Sequence, residues 1–452
     1  MRVLAVSALA AAVLGGCASF EPLPLSPSGT AAHYESRALD SSGLRAFMQK
    51  NRAGGIASWP LSQWDLDALV LAAFYYHPDL DLARARWQVA EAAIATAGML
   101  PNPAVGLGVQ RNADAPGGTS PWTLGWSFDV PVETAGKRGY RTDQARHLSE
   151  AARLAIAGTA WQVRSRLRAG LVDTQFAQQA QVLLLRQQSL QQNNVALLER
   201  RLILGMASQP EVTQARIALN RTTLALSENR KTRVEAQEKL AVALGVSDQS
   251  IAGIPISPDL FGSLPAAPVD AGRRAALLSR SDILIALAEY AASQSALQLE
   301  VARQYPDLHL GPGYTWDAGE RKWSLGLSLA LPIFNRNQGP IAEATALRAQ
   351  AMANFNAVQA RAIGEIDGAA AGYRAMLGEL AAADALASEQ GKRARGAMAS
   401  FKAGETDKVA LLGAQLEQVQ VDLSRLDALA KTEQALGVLE DAMQRALNDA
   451  AQ

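Results

Sequence analysis

Two stretches of the chain alternate without error between apolar and small or polar residues. Over 122–131, Trp122, Leu124, Trp126, Phe128 and Val130 alternate with Thr123, Gly125, Ser127 and Asp129. Over 323–332, Trp323, Leu325, Leu327, Leu329 and Leu331 alternate with Ser324, Gly326, Ser328 and Ala330. Period two predicts strands with a single apolar face. Two shorter runs agree. Val105, Leu107 and Val109 alternate with Gly106, Gly108 and Gln110 within 103–110. Leu308, Leu310 and Tyr314 alternate with His309, Gly311 and Gly313 within 307–315. A half-buried soluble sheet would show the same alternation. Three features favour a membrane wall instead. Strands of roughly nine to eleven residues suit a tilted bilayer crossing. Trp122, Trp126, Tyr314, Trp316 and Trp323 gather near strand ends, as an interfacial girdle would. The opposite face is small and polar, as a water-filled lumen requires.

Most of the remaining chain has helical character. Helices are predicted near 80–99, 137–203, 209–245, 281–302, 338–402 and 407–447. A helix of some 65 residues extends about 100 Å at 1.5 Å per residue. Such a length suits a periplasm better than a compact domain. Leu412, Leu416, Val419, Leu423, Leu426 and Ala430 fall at alternating steps of four and three, as do Val212, Ala215, Leu219, Thr222 and Leu226. These are coiled-coil seams, although a plain amphipathic bundle would produce them too. Gly205 and Gly404 are read as left-handed helix ends. Ser208, and either Thr406 or Asp407, are read as caps of the returning helices, with Pro210 in a first turn.

The chain is duplicated. His77-Pro78-Asp79 matches Arg280-Ser281-Asp282 at a shift of 203, and Pro103 matches Pro306 at the same shift. Trp122 matches Trp323 and Pro131 matches Pro332, both 201 apart, and Gly205 matches Gly404, 199 apart. The first repeat spans 63–250 and the second 273–447. Between them lies a linker, 251–272, carrying Pro255, Pro258, Pro265 and Pro268. Four strands cannot close a barrel, and an open edge in lipid leaves backbone groups unsatisfied. Three chains would supply twelve strands. The expected fold is therefore mainly α with a membrane β-barrel portion, built as a trimer. Loops 111–121 and 316–322 would face the exterior.

Composition narrows the function. The 43 basic residues balance 43 acidic ones, so no net field points to nucleic acid. Residues 1–16 begin Met1-Arg2, run apolar from Val3 to Leu14, and lead through Leu14-Gly15-Gly16 to Cys17. That is the plan of a secretory signal, and its ending resembles the bacterial lipoprotein signal. Cys17, the only cysteine, would then carry N-terminal acyl and diacylglycerol lipid. Ala18-Ser19 after it resembles the sorting pattern for the outer membrane. Residues 17–62, with Pro22, Pro24 and Pro27, are expected to form an extended arm from that anchor. No nucleophile motif, phosphate-cradling loop or His–carboxylate constellation points to an enzyme. The four histidines, His33, His77, His147 and His309, show no metal-ligand spacing, so neither a metal site nor any other cofactor is expected.

The duplicated halves, two strands per half, and the tip Phe401-Lys402-Ala403-Gly404-Glu405 together resemble the TolC-like outer-membrane efflux factors. The resemblance covers the whole mature chain. It implies a homotrimeric twelve-strand barrel in outer-membrane lipid, continued by a helical periplasmic tunnel. It also implies a periplasmic adaptor protein and an inner-membrane RND pump as partners. Leu204, Gly205, Met206, Ala207 and Ser208, with Ala403, Gly404, Glu405, Thr406 and Asp407, become adaptor-contact residues. Glu405, Asp407 and Lys408 become an entrance gate held by charge pairs. Residues 311–317 and 331–342 more closely resemble the heavy-metal (cobalt-zinc-cadmium) efflux branch, which implies divalent cations as cargo. A multidrug or type I secretion exit duct is the alternative within the class. A coiled-coil envelope spacer lipoprotein is the alternative outside it, but a spacer has no need of paired amphipathic strands.

Overall fold

A computed structural model describes residues 19–447 except 53–54, 57, 258–260, 262–263 and 266–269. The signal at 1–16 and Cys17 lie outside the described residues. Eleven helices and four strands follow one another among the described residues. The helices are α1 (Pro27–Glu35), α2 (Ser42–Asn51), α3 (Leu66–Tyr76), α4 (Pro78–Ala97), α5 (Lys137–Ile203), α6 (Gln209–Leu244), α7 (Asp248–Ile251), α8 (Asp270–Ser279), α9 (Ser281–Ala302), α10 (Gln338–Lys402) and α11 (Lys408–Met443). The strands β1 (Ala104–Arg111), β2 (Trp122–Val132), β3 (Leu308–Asp317) and β4 (Glu320–Leu329) form one antiparallel sheet in sequence order.

The predicted long helices are present, within a few residues of their expected limits. Their seams are only partly closed: Val212, Ala215, Thr222 and Leu226 are buried on α6, and Leu412 and Val419 on α11, whereas Leu219, Leu416, Leu423, Leu426 and Ala430 are half-buried. Helix α5 packs on α6, and α10 on α11, as two antiparallel hairpins.

Two apolar cores sit about midway along the long helices. In the first, Leu167 and Leu171 of α5 meet Leu240 and Leu244 of α6, with Leu69 of α3 and Met48 of α2. In the second, Ile366 and Tyr373 of α10 meet Leu436, Leu439 and Met443 of α11. A buried ionic group bridges the repeats at this level. Arg168 of α5 lies 2.8 Å from Glu433 and 3.4 Å from Glu440, both on α11.

The first core explains where the sequence reading of 17–62 departs from the structure. Only 19–26 are extended; 27–35 and 42–51 are helical. Ser26 caps α1 with Pro27 in its first turn, and Ser41 caps α2 by accepting from the Leu44 amide. Helix α2 then buries Leu44 and Met48. Helix α3 is a further element beyond the predicted set. Ala68, Leu69, Ala72, Ala73 and Tyr76 bury one face of it, and because Val70, Leu71 and Phe74 on its other sides are apolar too, the sequence shows little amphipathic contrast. The described residues of the linker are irregular, except that α7 and α8 encroach on its ends. It returns to the first repeat where Trp64 bridges Ile256.

Candidate functional site

The sheet has two chemically distinct faces. Pairing sets Leu107 beside Trp126, Trp126 beside Tyr314, and Tyr314 beside Trp323, so one apolar row crosses all four strands. The next rows repeat it: Val109, Leu124, Trp316 on one side, and Leu310 beside Leu327 on the other. No helix among the described residues covers this face. Trp323 and Leu325 are 76% and 78% exposed, a contiguous apolar surface that a soluble protein would not leave in water.

The five predicted girdle residues lie on this face, all toward the hairpin ends of the strands. Trp126, Tyr314 and Trp323 form one patch, with ring centroids 6.3, 6.2 and 4.8 Å apart. Trp122 stacks under Arg111 at 5.8 Å, and Trp316 lies opposite Arg321. The aromatics therefore form one band, not a band at each end.

The other face carries Gly106, Gly108, Gly125, Ser127, Gly313, Ser324 and Gly326. Closeness favours the missing side chain at some of these positions, though at Gly108 an added Cβ would meet nothing within 4 Å. A Cβ on Gly313 would lie 2.8 Å from Ser324 Oγ, and one on Gly125 would lie 3.3 Å from Thr315 Oγ1. Charged groups on this face are paired. Thr123 Oγ1 donates to Asp317, Lys322 lies 2.8 Å from Asp317, and His309 lies 2.9 Å from Asp129.

The outer hairpins differ from each other. Residues 112–121 form a loop, as predicted. Residues 316–322 do not, because β3 runs to Asp317 and β4 starts at Glu320. Only Ala318 and Gly319 turn, both at positive φ (49° and 101°), which matches the twist of a tight two-residue hairpin. At its far end β4 stops at Leu329, short of the predicted 332.

At the base of the sheet, the junction between β2 and α5 is tied to the second repeat. Lys137 Nζ donates to the Tyr305 carbonyl and to Asp307, each at 2.7 Å. Thr134 N donates to the same carboxylate at 2.9 Å. Sequence reasoning passed over this clamp. A signal was available: Asp307 corresponds to Ala104 and Lys137 to Gln338 under the repeat shifts, so the charges occur in one repeat only.

At the opposite end of α5 and α10 lie the two hairpin tips. Gly205 and Gly404 have φ of 71° and 78°, as the cap reading required. The amide of Met206 donates to Arg201 O at 2.7 Å, and that of Glu405 to Ser400 O at 2.9 Å. This is the same six-to-one closure in both repeats. Ser208 precedes α6 and donates through N and Oγ to Glu211. The second cap is Asp407 rather than Thr406, since Asp407 accepts from the Ala410 amide at 2.9 Å. The tips differ in chemistry. Ile203, Leu204 and Met206 are exposed on the first, whereas Glu405 and Thr406 mark the second.

One charge pair joins the tips. Arg201 Nη1 lies 2.8 Å from Asp407 Oδ2. Of the predicted gate residues, Asp407 is in this pair, while Glu405 and Lys408 are in no ion pair among the described residues. Arg201 was missed because its partner lies in the other repeat, 206 residues away. The carboxyl of Asp407 is held below its ordinary range, first by the Ala410 amide and then by Arg201.

Among the described residues no helix is long and apolar enough to cross a membrane. Residues 72–246 and 273–443 match the profile of the family described as outer membrane efflux protein. The chain is 26% identical, over 285 residues, to the cobalt-zinc-cadmium resistance protein CzcC of Cupriavidus metallidurans. That similarity covers 63% of this chain and 66% of the relative, just under two thirds of the relative's length. Among solved structures, the outer membrane protein VceC of Vibrio cholerae superposes with a TM-score of 0.68 at 19% identity, covering 84% of this chain and 96% of that one. The CmeC outer membrane channel of Campylobacter jejuni gives 0.65 at 16% identity, covering 94% of each chain. These likenesses concern the fold.

Proposed function

The chain belongs to the outer membrane efflux protein family, and on that premise we propose that three copies close their sheets into one barrel and act as a passive exit duct. The observation that carries this reading is the sheet itself: apolar on one face, small and polar on the other, with β1 and β4 each paired on one side only. Closure by further copies satisfies both edges and turns the polar face inward as a wet lumen. Helices α5 and α10 extend this wall by about 100 Å, enough to reach across a periplasm.

In this reading Cys17 carries acyl and diacylglycerol lipid, which anchors the chain without spanning the membrane. The tips 204–208 and 403–407 meet a periplasmic adaptor that is itself bound to an inner-membrane pump. The Arg201–Asp407 pair helps hold the entrance closed. The duct binds no cofactor and performs no chemistry; cargo moves down a gradient set up elsewhere. Divalent heavy-metal cations are the proposed cargo. The similarity to CzcC supports this.

The experiment is purified full-length protein in planar bilayers, together with a deletion strain. The duct reading expects a detergent-stable trimer with ohmic conductance once the tips are opened. A monomer without conductance would sink it. The metal reading expects lowered tolerance to cobalt, zinc and cadmium on deletion. Unchanged metal tolerance with lowered drug tolerance would move the cargo to the multidrug alternative.

A further inference from the structure

Strand β4 ends three residues earlier than its alternation does. Leu331 and Ile333 continue the apolar face set by Leu327 and Leu329, yet residues 330–333 are irregular, and Leu331, Ile333 and Phe334 are exposed, the last at 97%. The corresponding stretch in the first repeat behaves differently. There β2 runs on to Val132, past the last residue paired with β1, because β3 continues alongside it: Val130 pairs with Leu310 and Val132 with Leu308. Residues 330–333 have no strand beside them among the described residues, and the Ile333 amide instead donates back to the Leu331 carbonyl at 2.8 Å.

We propose that residues 330–333 are the end of β4, completed by β1 of a second copy, with Leu331 opposite Leu107 and Ile333 opposite Val105. The inference rests on the barrel reading above and adds a register to it. The register comes from the repeat. Strand β1 maps on β3 at a shift of 203, and β2 on β4 at 201. These shifts hold in the structure: the pair Leu107–Trp126 of the first hairpin becomes Leu310–Leu327, which is a pair of the second. The seam between the repeats is β2 against β3. Moving Val130 forward by 201 gives Leu331, and moving Leu310 back by 203 gives Leu107. Val132 and Leu308 become Ile333 and Val105 in the same way. The proline between them, Pro332, does not bar the pairing. Its counterpart Pro131 already sits in the internal seam, opposite His309.

The physical setting agrees. Facing residues then share the apolar face across the new seam, whereas a slip by one residue would turn polar side chains outward. The copied seam differs from its template at the base. Where the chain joins its own repeats with Lys137 and Asp307, the seam between copies offers Gln338 and Ala104. Met99 and Leu100, a few residues before Ala104, and Phe334, a few before Gln338, are all exposed in the single chain. The internal seam is clamped at its base by Lys137 and Asp307, and the seam between copies has no such charge pair at the equivalent positions.

Paired cysteines in the full-length protein test the register. Under mild oxidation, L331C combined with L107C is expected to shift the non-reducing band from one chain to three, and I333C combined with V105C to do the same. L331C combined with V109C, displaced by two residues, is expected to lose that shift. Equal linking of the displaced pair overturns the register. So does failure of both in-register pairs in a preparation that native mass spectrometry shows to be oligomeric, and in that case the exit-duct reading survives. A preparation that is monomeric throughout overturns both.

Discussion

Arg168 crosses from α5 to α11 with its guanidinium against the Cα of Gly437, where an added Cβ would lie 2.7 Å from Nη1. The missing side chain lets Arg168 reach the carbonyl and the carboxylate of Glu433, both at 2.8 Å. Two repeats that share no strand hydrogen bonds at this level are thereby joined inside the protein. Removing Arg168 leaves the buried Glu433 carboxylate without its cation, while Glu440 keeps Arg164 at 3.1 Å. R168A is expected to destabilise the folded protein by about 3–5 kcal/mol, with R168M/E433Q recovering much of the loss. Thermal unfolding in detergent checks this; equal melting of R168A and the parent would refute the clamp.

The same group sets a pH dependence. Burial pushes the Glu433 carboxyl above the ordinary value of 4.5, against the pull of Arg168. Burial likewise raises Asp441 above 3.8, opposed by bonds from Ser165 and Trp161. A carboxyl with a raised folded value contributes stability that is complete below its unfolded value and is lost as pH rises through the folded one. Relative to the parent, E433Q should therefore lose less stability as pH is raised from about 4 toward neutrality. Melting temperature against pH for the two proteins is the measurement. Parallel curves would count against a raised Glu433.

At the tips the sign is opposite. The depressed Asp407 carboxyl supports its cap and its pair with Arg201 above the ordinary value of 3.8, and that support disappears as pH falls through the lower folded value. D407N keeps a good cap residue but removes the charge. Both partners are solvent-accessible, so the stability change should be within about 1 kcal/mol. Conductance is expected to rise, as it should in R201A. A double variant that opens no further than either single one would identify the pair as the common element. No change in any of the three would remove it from the gate.

Two left-handed glycines should respond unequally. At Gly404 an added Cβ meets nothing within 4 Å, so G404A costs only the backbone strain of roughly 1–2 kcal/mol. At Gly245 the Cβ would fall 2.9 Å from both His77 Cα and the Tyr76 carbonyl. G245A must displace the start of α4 as well. It is expected to lower the melting temperature clearly more than G404A, and equal shifts would contradict the packing described.

What could be read from the sequence divides along a physical line. Features repeated with a period were legible: the strand alternation, the α6 and α11 seams, and the two tips with Gly205 and Gly404. Features made by meeting across the fold were not. Helix α3 is apolar on its half-buried sides as well as its buried face and so shows little period, while Arg201–Asp407 and Lys137–Asp307 join residues about 200 or 170 positions apart. The short hairpin at Ala318-Gly319 was hidden by its polar flanks, Asp317 and Glu320-Arg321-Lys322, which resemble loop residues but extend the ladder above the apolar band.

A sheet with one unpaired strand at each side also has a genetic consequence. In the proposed ring of three, each copy would lend one edge to a neighbour and borrow the other, so a damaged edge would never be a private defect. If half the chains in a cell carried a substitution that spoils β1, only about one ring in eight would be assembled wholly from sound copies. Lesions at this edge should therefore act dominantly over a normal allele, whereas lesions that merely prevent export of the chain should be recessive.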